Sequence, residues 1–213
     1  MKHIGLQLAM QSAVLAIVFS TTSFAAGTDT VAIASEGLQA KTVYCQDCHG
    51  LSGQGYNGVL PIPRIAGQTT KYIENQLLAF MESKRDKNIS LDMAKVHGVS
   101  PAMRTALGAH FSDLNPEPFG DGPTDLVATG KKIYEEGVPE DNVPACSGCH
   151  GPEAKGKDEI PRLAGQLFPY TSKELTDWIK ERAEGTSAVM TPVAHSLSQP
   201  QIAAIAAYLA YLK

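Results

Sequence analysis

Apolar residues recur at helical spacing in two separated stretches, "TKYIENQLLAFMES" (70–83) and "TSKELTDWIKERA" (171–183), each behind a Thr or Ser that suits an N-cap. Two more helices are predicted where "SPAMRTALGAHFSDL" and "SQPQIAAIAAYLAYL" close each half of the chain. A helix also opens the second half, starting at Thr124 with Asp125 behind it and running to about Glu136, where Gly137 ends it. No strand-like alternation appears anywhere, so the pattern predicts an all-α protein. The N-terminus follows a different rule. Leu6 to Phe19 is almost wholly apolar after Lys2 and His3, and "STTSFA" places Ser23 and Ala25 where signal peptidase cleaves. Residues 1–25 therefore read as a signal peptide, an uncleaved anchor being the alternative, and the remainder as an exported, periplasmic chain.

The pattern also repeats. "PRIAGQ" starts at Pro63 and "PRLAGQ" at Pro161, an offset of 98. That offset pairs Tyr72 with Tyr170, Leu77 with Leu175, Phe80 with Trp178, His97 with His195 and Ser100 with Ser198. Between the halves, "NPEPFGDGP" (115–123) holds three prolines and two glycines, which a helix cannot accommodate. The expected organisation is a first domain over 26–114, a linker over 115–123 and a second domain over 124–213.

Composition narrows the class. The 213 residues carry a net charge of −4, and removal of Lys2 with the leader makes it −5. Residues 26–120 hold 8 Lys/Arg against 9 Asp/Glu, and residues 121–213 hold 9 against 13. An acidic chain argues against nucleic acid as a partner. The basic run "KRDK" (84–87) reads as a solvated helix end.

All four cysteines lie in two pentads, "CQDCH" (Cys45, Cys48, His49) and "CSGCH" (Cys146, Cys149, His150). C-x-x-C-H is the attachment signature of c-type haem. Two thiols add across the two vinyl groups of the porphyrin, and the following histidine is held under the iron. A thioredoxin-like pair would want a βαβ pattern, and a zinc site would have to join two separate repeats. Two covalently bound haem c groups are therefore expected. The loop from His49 to Pro63 is three residues longer than that from His150 to Pro161.

The second axial ligand decides between carrier and enzyme, since a methionine there leaves no open position. Met190, in the "VMTPVAHSL" segment between two helices, is the expected ligand in the second half. The first half offers Met81, Met93 and Met103; Met93 is assigned, with Met103 in reserve. His97 and His195 lie close behind these methionines and are the alternative ligands. Pro61, Pro63 and Pro161 are placed to supply a carbonyl to the proximal imidazole. Arg64 and Arg162, at one repeat position, are candidates for haem propionates. Tyr72, Tyr170, Phe80 and Trp178 are expected to wall the pockets.

Taken together, "CQDCHG", "PRIAGQ" and "M…VHGVS" in one half with "CSGCHG", "PRLAGQ" and "MTPVAHSLS" in the other resemble the tandem di-haem cytochrome c4 family. The resemblance spans almost the whole exported chain. It implies two class I cytochrome c domains related by duplication, propionates near their interface, and single-electron shuttling in the periplasm. Expected partners are a membrane oxidase, a cytochrome complex or a periplasmic dehydrogenase, with peripheral membrane association left open. The rival reading is a small di-haem enzyme of the peroxidase or thiosulfate dehydrogenase type, which would need an open or labile haem; a redox sensor is a third.

Overall fold

The computed structural model describes the backbone of residues 26–82, 84–85, 93, 99–178 and 186–213, and side chains from residue 35 onward with 186 and 187 excepted. The leader lies outside the described residues, as does His97.

Helix α1 (Ala26–His49) runs straight through the first pentad. Helix α2 (Thr70–Met81) starts at Thr69, whose side chain accepts the Tyr72 N–H, and buries Ile73, Leu77 and Phe80 on one stripe. Helix α3 (Pro101–Ser112) is capped by Ser100, which accepts from Met103 N–H at 3.2 Å. Its buried Leu107 and Phe111 meet Ile73 and Leu77, with Val99, in the first core.

In the second half, α4 (Val127–Glu136) follows a short 3-10 turn (Thr124–Leu126) and ends at Gly137. Helix α5 (Ser147–His150) is a single turn that carries the second pentad's histidine. Then come α6 (Phe168–Thr176), α7 (Met190–Ser196) and α8 (Gln199–Tyr211). Helices α4 and α8 cross over Gly130, where a Cβ would stand 1.9 Å from the Ala204 carbonyl oxygen. Ile133, Tyr134, Ile205, Tyr208 and Leu209 fill the second core. Leu107 and Phe111 correspond to Ile205 and Leu209 at the repeat offset, so the duplication extends into the packing. Among the described residues there is no strand, only isolated bridges, and no helix is long and apolar enough to cross a membrane.

Two local expectations need correction. Helix α6 begins at Phe168 with no cap from its own Thr or Ser. Instead the linker caps it, since Asp121 Oδ1 accepts the Phe168 N–H at 3.0 Å. Pro169 sits in the first turn, where a missing N–H costs nothing, so the helix starts earlier than the hydroxyl pattern suggests. Met190 does not lie between two helices, as its segment suggests, but opens α7 directly from a 3-10 turn over Thr186–Val189. Pro192 falls within that helix's first turn and is tolerated there.

The linker carries neither helix nor strand and is tied at both sides. Asp121 Oδ2 accepts from Asn57 Nδ2 at 2.6 Å, and Tyr211 Oη donates to the Gly122 carbonyl at 2.7 Å. Lys213 pairs with Glu117.

Candidate functional sites: two cysteine–histidine pentads joined at a seam

Both pentads end in the same geometry. Each histidine closes a helix, and the glycine after it takes a left-handed conformation, φ +82° at Gly50 and +80° at Gly151, which turns the chain back over the imidazole. The returning loop is pinned by Gly55 N–H to the His49 carbonyl at 2.8 Å and Gly156 N–H to the His150 carbonyl at 3.0 Å. It then narrows to a bridge, Tyr56 with Ile62 in the first repeat and Lys157 with Ile160 in the second. The three extra residues of the first repeat therefore lie at the tip of this turn. They leave the geometry at the histidine unchanged.

His49 Nδ1 lies 2.8 Å from the Pro63 carbonyl, and His150 Nδ1 lies 2.9 Å from the Pro161 carbonyl. Of the three prolines considered, Pro63 and Pro161 thus serve, and Pro61 does not. A carbonyl can only accept, so each Nδ1 carries the proton and each Nε2 keeps its lone pair. Both rings are buried, and burial holds each below the usual imidazole pKa, so they are neutral as a metal ligand must be.

The cysteines carry no disulfide. Burial raises the thiols of Cys45 and Cys146 to about 11. A reactive redox cysteine needs a depressed pKa, so this environment opposes the thioredoxin-like reading. Among the described residues no three His, Cys, Asp or Glu side chains converge to hold a bare metal ion.

Met93 packs against the first core together with Met81 and Met103, so three methionines border that domain's interior. Met190 is half-buried at the start of α7. His195 is exposed on the same helix.

The hexapeptides build the seam between the halves. Gln166 Oε1 accepts the Arg64 N–H at 2.8 Å, and its Nε2 donates to the Arg64 carbonyl at 3.0 Å. Gln68 makes the reciprocal pair with Arg162, at 2.7 and 3.0 Å. Each glutamine of "PRxAGQ" therefore grips the backbone of the other repeat's arginine. The two arginines are buried at 4% and 7% exposure. Each Nε is held by its own loop, Arg64 on the Ala66 carbonyl and Arg162 on the Ala164 carbonyl, both at 3.0 Å. Arg64 Nη2 also donates to the Pro116 carbonyl at 2.9 Å. Arg162 Nη2, in contrast, is buried with no hydrogen-bond partner among the described residues. Burial, then the charge of Arg162, pushes Arg64 down to about 10.

A covalently attached haem fits these residues. Both proximal imidazoles are neutral with Nε2 free, the space over Gly151 is open, and a buried guanidinium arm at the seam wants an anion such as a propionate. The pentads and the paired arginines are legible in the sequence, the first by spacing and the second by recurrence. The glutamine clasp is not, although "PRxAGQ" recurring with its Gln was the available signal.

The cytochrome c family model matches twice, over residues 35–117 and 127–213. Cytochrome c4 of Azotobacter vinelandii is 31% identical over 184 residues, covering 80% of this chain and 85% of its own. A thiosulfate dehydrogenase electron acceptor of Thiomonas intermedia is 34% identical, with coverages of 78% and 77%. The cytochrome c4 structure of Acidithiobacillus ferrooxidans superposes with a TM-score of 0.69 at 34% identity, covering 79% of this chain and 98% of that one. With two cysteine pairs that fit two covalently bound haem c groups, the chain belongs to the cytochrome c family, and within it to the di-haem cytochrome c4 electron carriers.

Proposed function

We propose that this protein shuttles single electrons in the periplasm with both irons closed by His/Met ligation: His49 and Met93 at the first haem, His150 and Met190 at the second. Haem supplies the one-electron iron couple; the chain supplies everything that fixes its ligands and surroundings. The observation that carries the reading is the paired state of His49 and His150, each neutral, buried and oriented through Nδ1. Met93 is favoured over Met103 because Met103 lies in the first turn of α3, with its terminal methyl against α1 at Gly37. Cys45, Cys48, Cys146 and Cys149 anchor the groups, and Arg64 and Arg162 face their propionates.

Partners are redox proteins. The Thiomonas relative's name makes a thiosulfate dehydrogenase, or a dehydrogenase of that kind, the proposed donor, with a terminal oxidase as acceptor. The two repeats offer such partners different surfaces. The first loop shows exposed Tyr56, Val59 and Leu60, whereas the second carries Glu153, Lys155, Lys157, Asp158 and Glu159. Partners at the second repeat are thus steered by charge and partners at the first by apolar contact.

The oxidised visible spectrum tests this reading. A methionine–iron(III) charge-transfer band equivalent to two haems is expected, and a high-spin band or peroxide turnover overturns it. In the Met93→Ala and Met103→Ala variants the first haem's share of the band is lost only in Met93→Ala; loss in Met103→Ala alone reverses the assignment.

A further inference from the structure

The two pentads are mounted differently. Helix α1 runs unbroken over 24 residues from Ala26 to His49, so the first pentad is the end of a long helix whose Leu38 packs on the first core. In the second repeat α4 stops at Glu136, and the pentad's own helix, α5, is a single turn over Ser147–His150. Between them the chain turns left-handed at Gly137 (φ +77°), bridges Val138 to Val143, and turns left-handed again at Asn142 (φ +58°). A helix of one turn has too few bonds of its own to hold an axis, so α4 passes no orientation to His150 along the chain.

Tyr134 crosses this break. It lies in the last turn of α4, fully buried, with its ring centre 5.5 Å from that of Tyr208 on α8. Its hydroxyl donates to the carbonyl of Gly151, the residue directly after His150, at 2.5 Å. The Ala154 N–H donates to the same carbonyl at 3.1 Å, so one oxygen gathers α4, the end of the pentad and the returning loop. At the pentad's other end Cys146 packs against the same core. From Gly151 the loop runs through the Lys157–Ile160 bridge to Pro161, whose carbonyl accepts from His150 Nδ1. Packing does not ask for the Tyr134 oxygen: phenylalanine would fill the same space, and a buried hydroxyl is tolerated only with a partner. In the first repeat the corresponding carbonyl, at Gly50, accepts the Gly53 N–H at 2.8 Å, and α1 itself carries the histidine.

We propose that Tyr134 is a positioning residue for the second haem, its hydroxyl fixing the turn at Gly151 and through it the rotation of the His150 ring, as helix continuity fixes His49. This rests on the di-haem carrier reading above. Without the bond the Gly151 carbonyl keeps only the Ala154 N–H, the turn gains freedom, and the Pro161 carbonyl no longer holds Nδ1 in one direction. The plane of the imidazole sets which iron orbital holds the unpaired electron in the ferric state. Its orientation is therefore read directly in the hyperfine shifts of the haem methyl protons.

Proton NMR of the holo protein carrying Tyr134→Phe tests this. In the ferric form the methyl resonances of the second haem are expected to redistribute, and those of the first to stay in place. In the ferrous form the His150 Nδ1 proton is expected to exchange with solvent about tenfold faster, the effect of losing one buried hydrogen bond, while that of His49 keeps its rate. A purely structural role would leave the methyl pattern where it is. Tyr208→Phe removes a hydroxyl from the neighbouring ring and is expected to change neither readout. An unchanged second-haem pattern in Tyr134→Phe, or the same change in Tyr208→Phe, overturns the proposal. The unsubstituted protein gives a check that needs no variant: a Tyr134 hydroxyl proton protected from exchange is expected, and its absence also overturns the proposal. Failure of the carrier reading is a separate outcome, seen in the unsubstituted protein as a missing methionine band.

Discussion

Arg64 and Arg162 occupy the same position in the two repeats but are satisfied differently. Both use Nε on their own loop, and Arg64 also places Nη2 on the linker at Pro116. Arg162 has Nη2 buried and unmatched, which costs about 1–3 kcal/mol unless a ligand group meets it. The propionate proposed for this position would remove that cost and would in turn be held ionised. In Arg162→Met the carboxylate loses its cation and its pKa rises into the titratable range. Protonation then removes a negative charge near the iron and raises the potential at low pH. The variant is thus expected to show a potential that falls as pH rises through neutrality, where the parent's is flatter. Potentiometry at several pH values checks this, and an unchanged pH profile would remove Arg162 from the propionate site.

The helices can be read as two versions of one plan with different tolerances. Helix α3 relies on the Ser100 side chain for its first turn, and α8 uses Gln201, whose Oε1 accepts the Ser198 N–H at 2.7 Å. The crossing of α4 and α8 leaves no room for a side chain at Gly130. Alanine there gains about 1 kcal/mol of helix propensity. It also forces the helices apart against the Ala204 carbonyl, and overpacking of this kind costs about 1–3 kcal/mol. Because the obstacle is backbone rather than a flexible side chain, the clash decides the sign. Gly130→Ala is expected to lower the thermal midpoint of the holo protein, read by circular dichroism.

At the scale of the whole molecule, the halves are joined by the glutamine clasp, by the bonds of Arg85 to Tyr170 and Glu174 across the seam, and by a linker bonded to both sides. Gln68 and Gln166 each make two bonds to the opposite backbone, worth about 1 kcal/mol apiece. Gln68→Ala and Gln166→Ala are expected to destabilise the holo protein by about 2 kcal/mol each and by similar amounts, because the contacts are reciprocal. Calorimetry on the double variant is expected to resolve two transitions where the parent shows one. A single sharp transition in that variant would shift the coupling onto the linker.

The sequence by itself determined what depends on short separations. The pentads are set by spacing alone, the helices by periodicity, and the duplication by residues recurring at one offset. Helix starts were legible where the cap is local, as at Thr69 and Ser100, and illegible at Phe168, where Asp121 arrives from the linker. Tertiary structure decided what depends on residues brought together from far apart. It selected Pro63 and Pro161 as the carbonyls under the histidines, turned the hexapeptide glutamines into a clasp, and drew Arg85 of an apparently solvated run across the seam. A hydrogen bond or ion pair across the seam leaves no periodic trace in the chain. Its partners are chosen by how two domains pack, and that is a property of surfaces rather than of spacing.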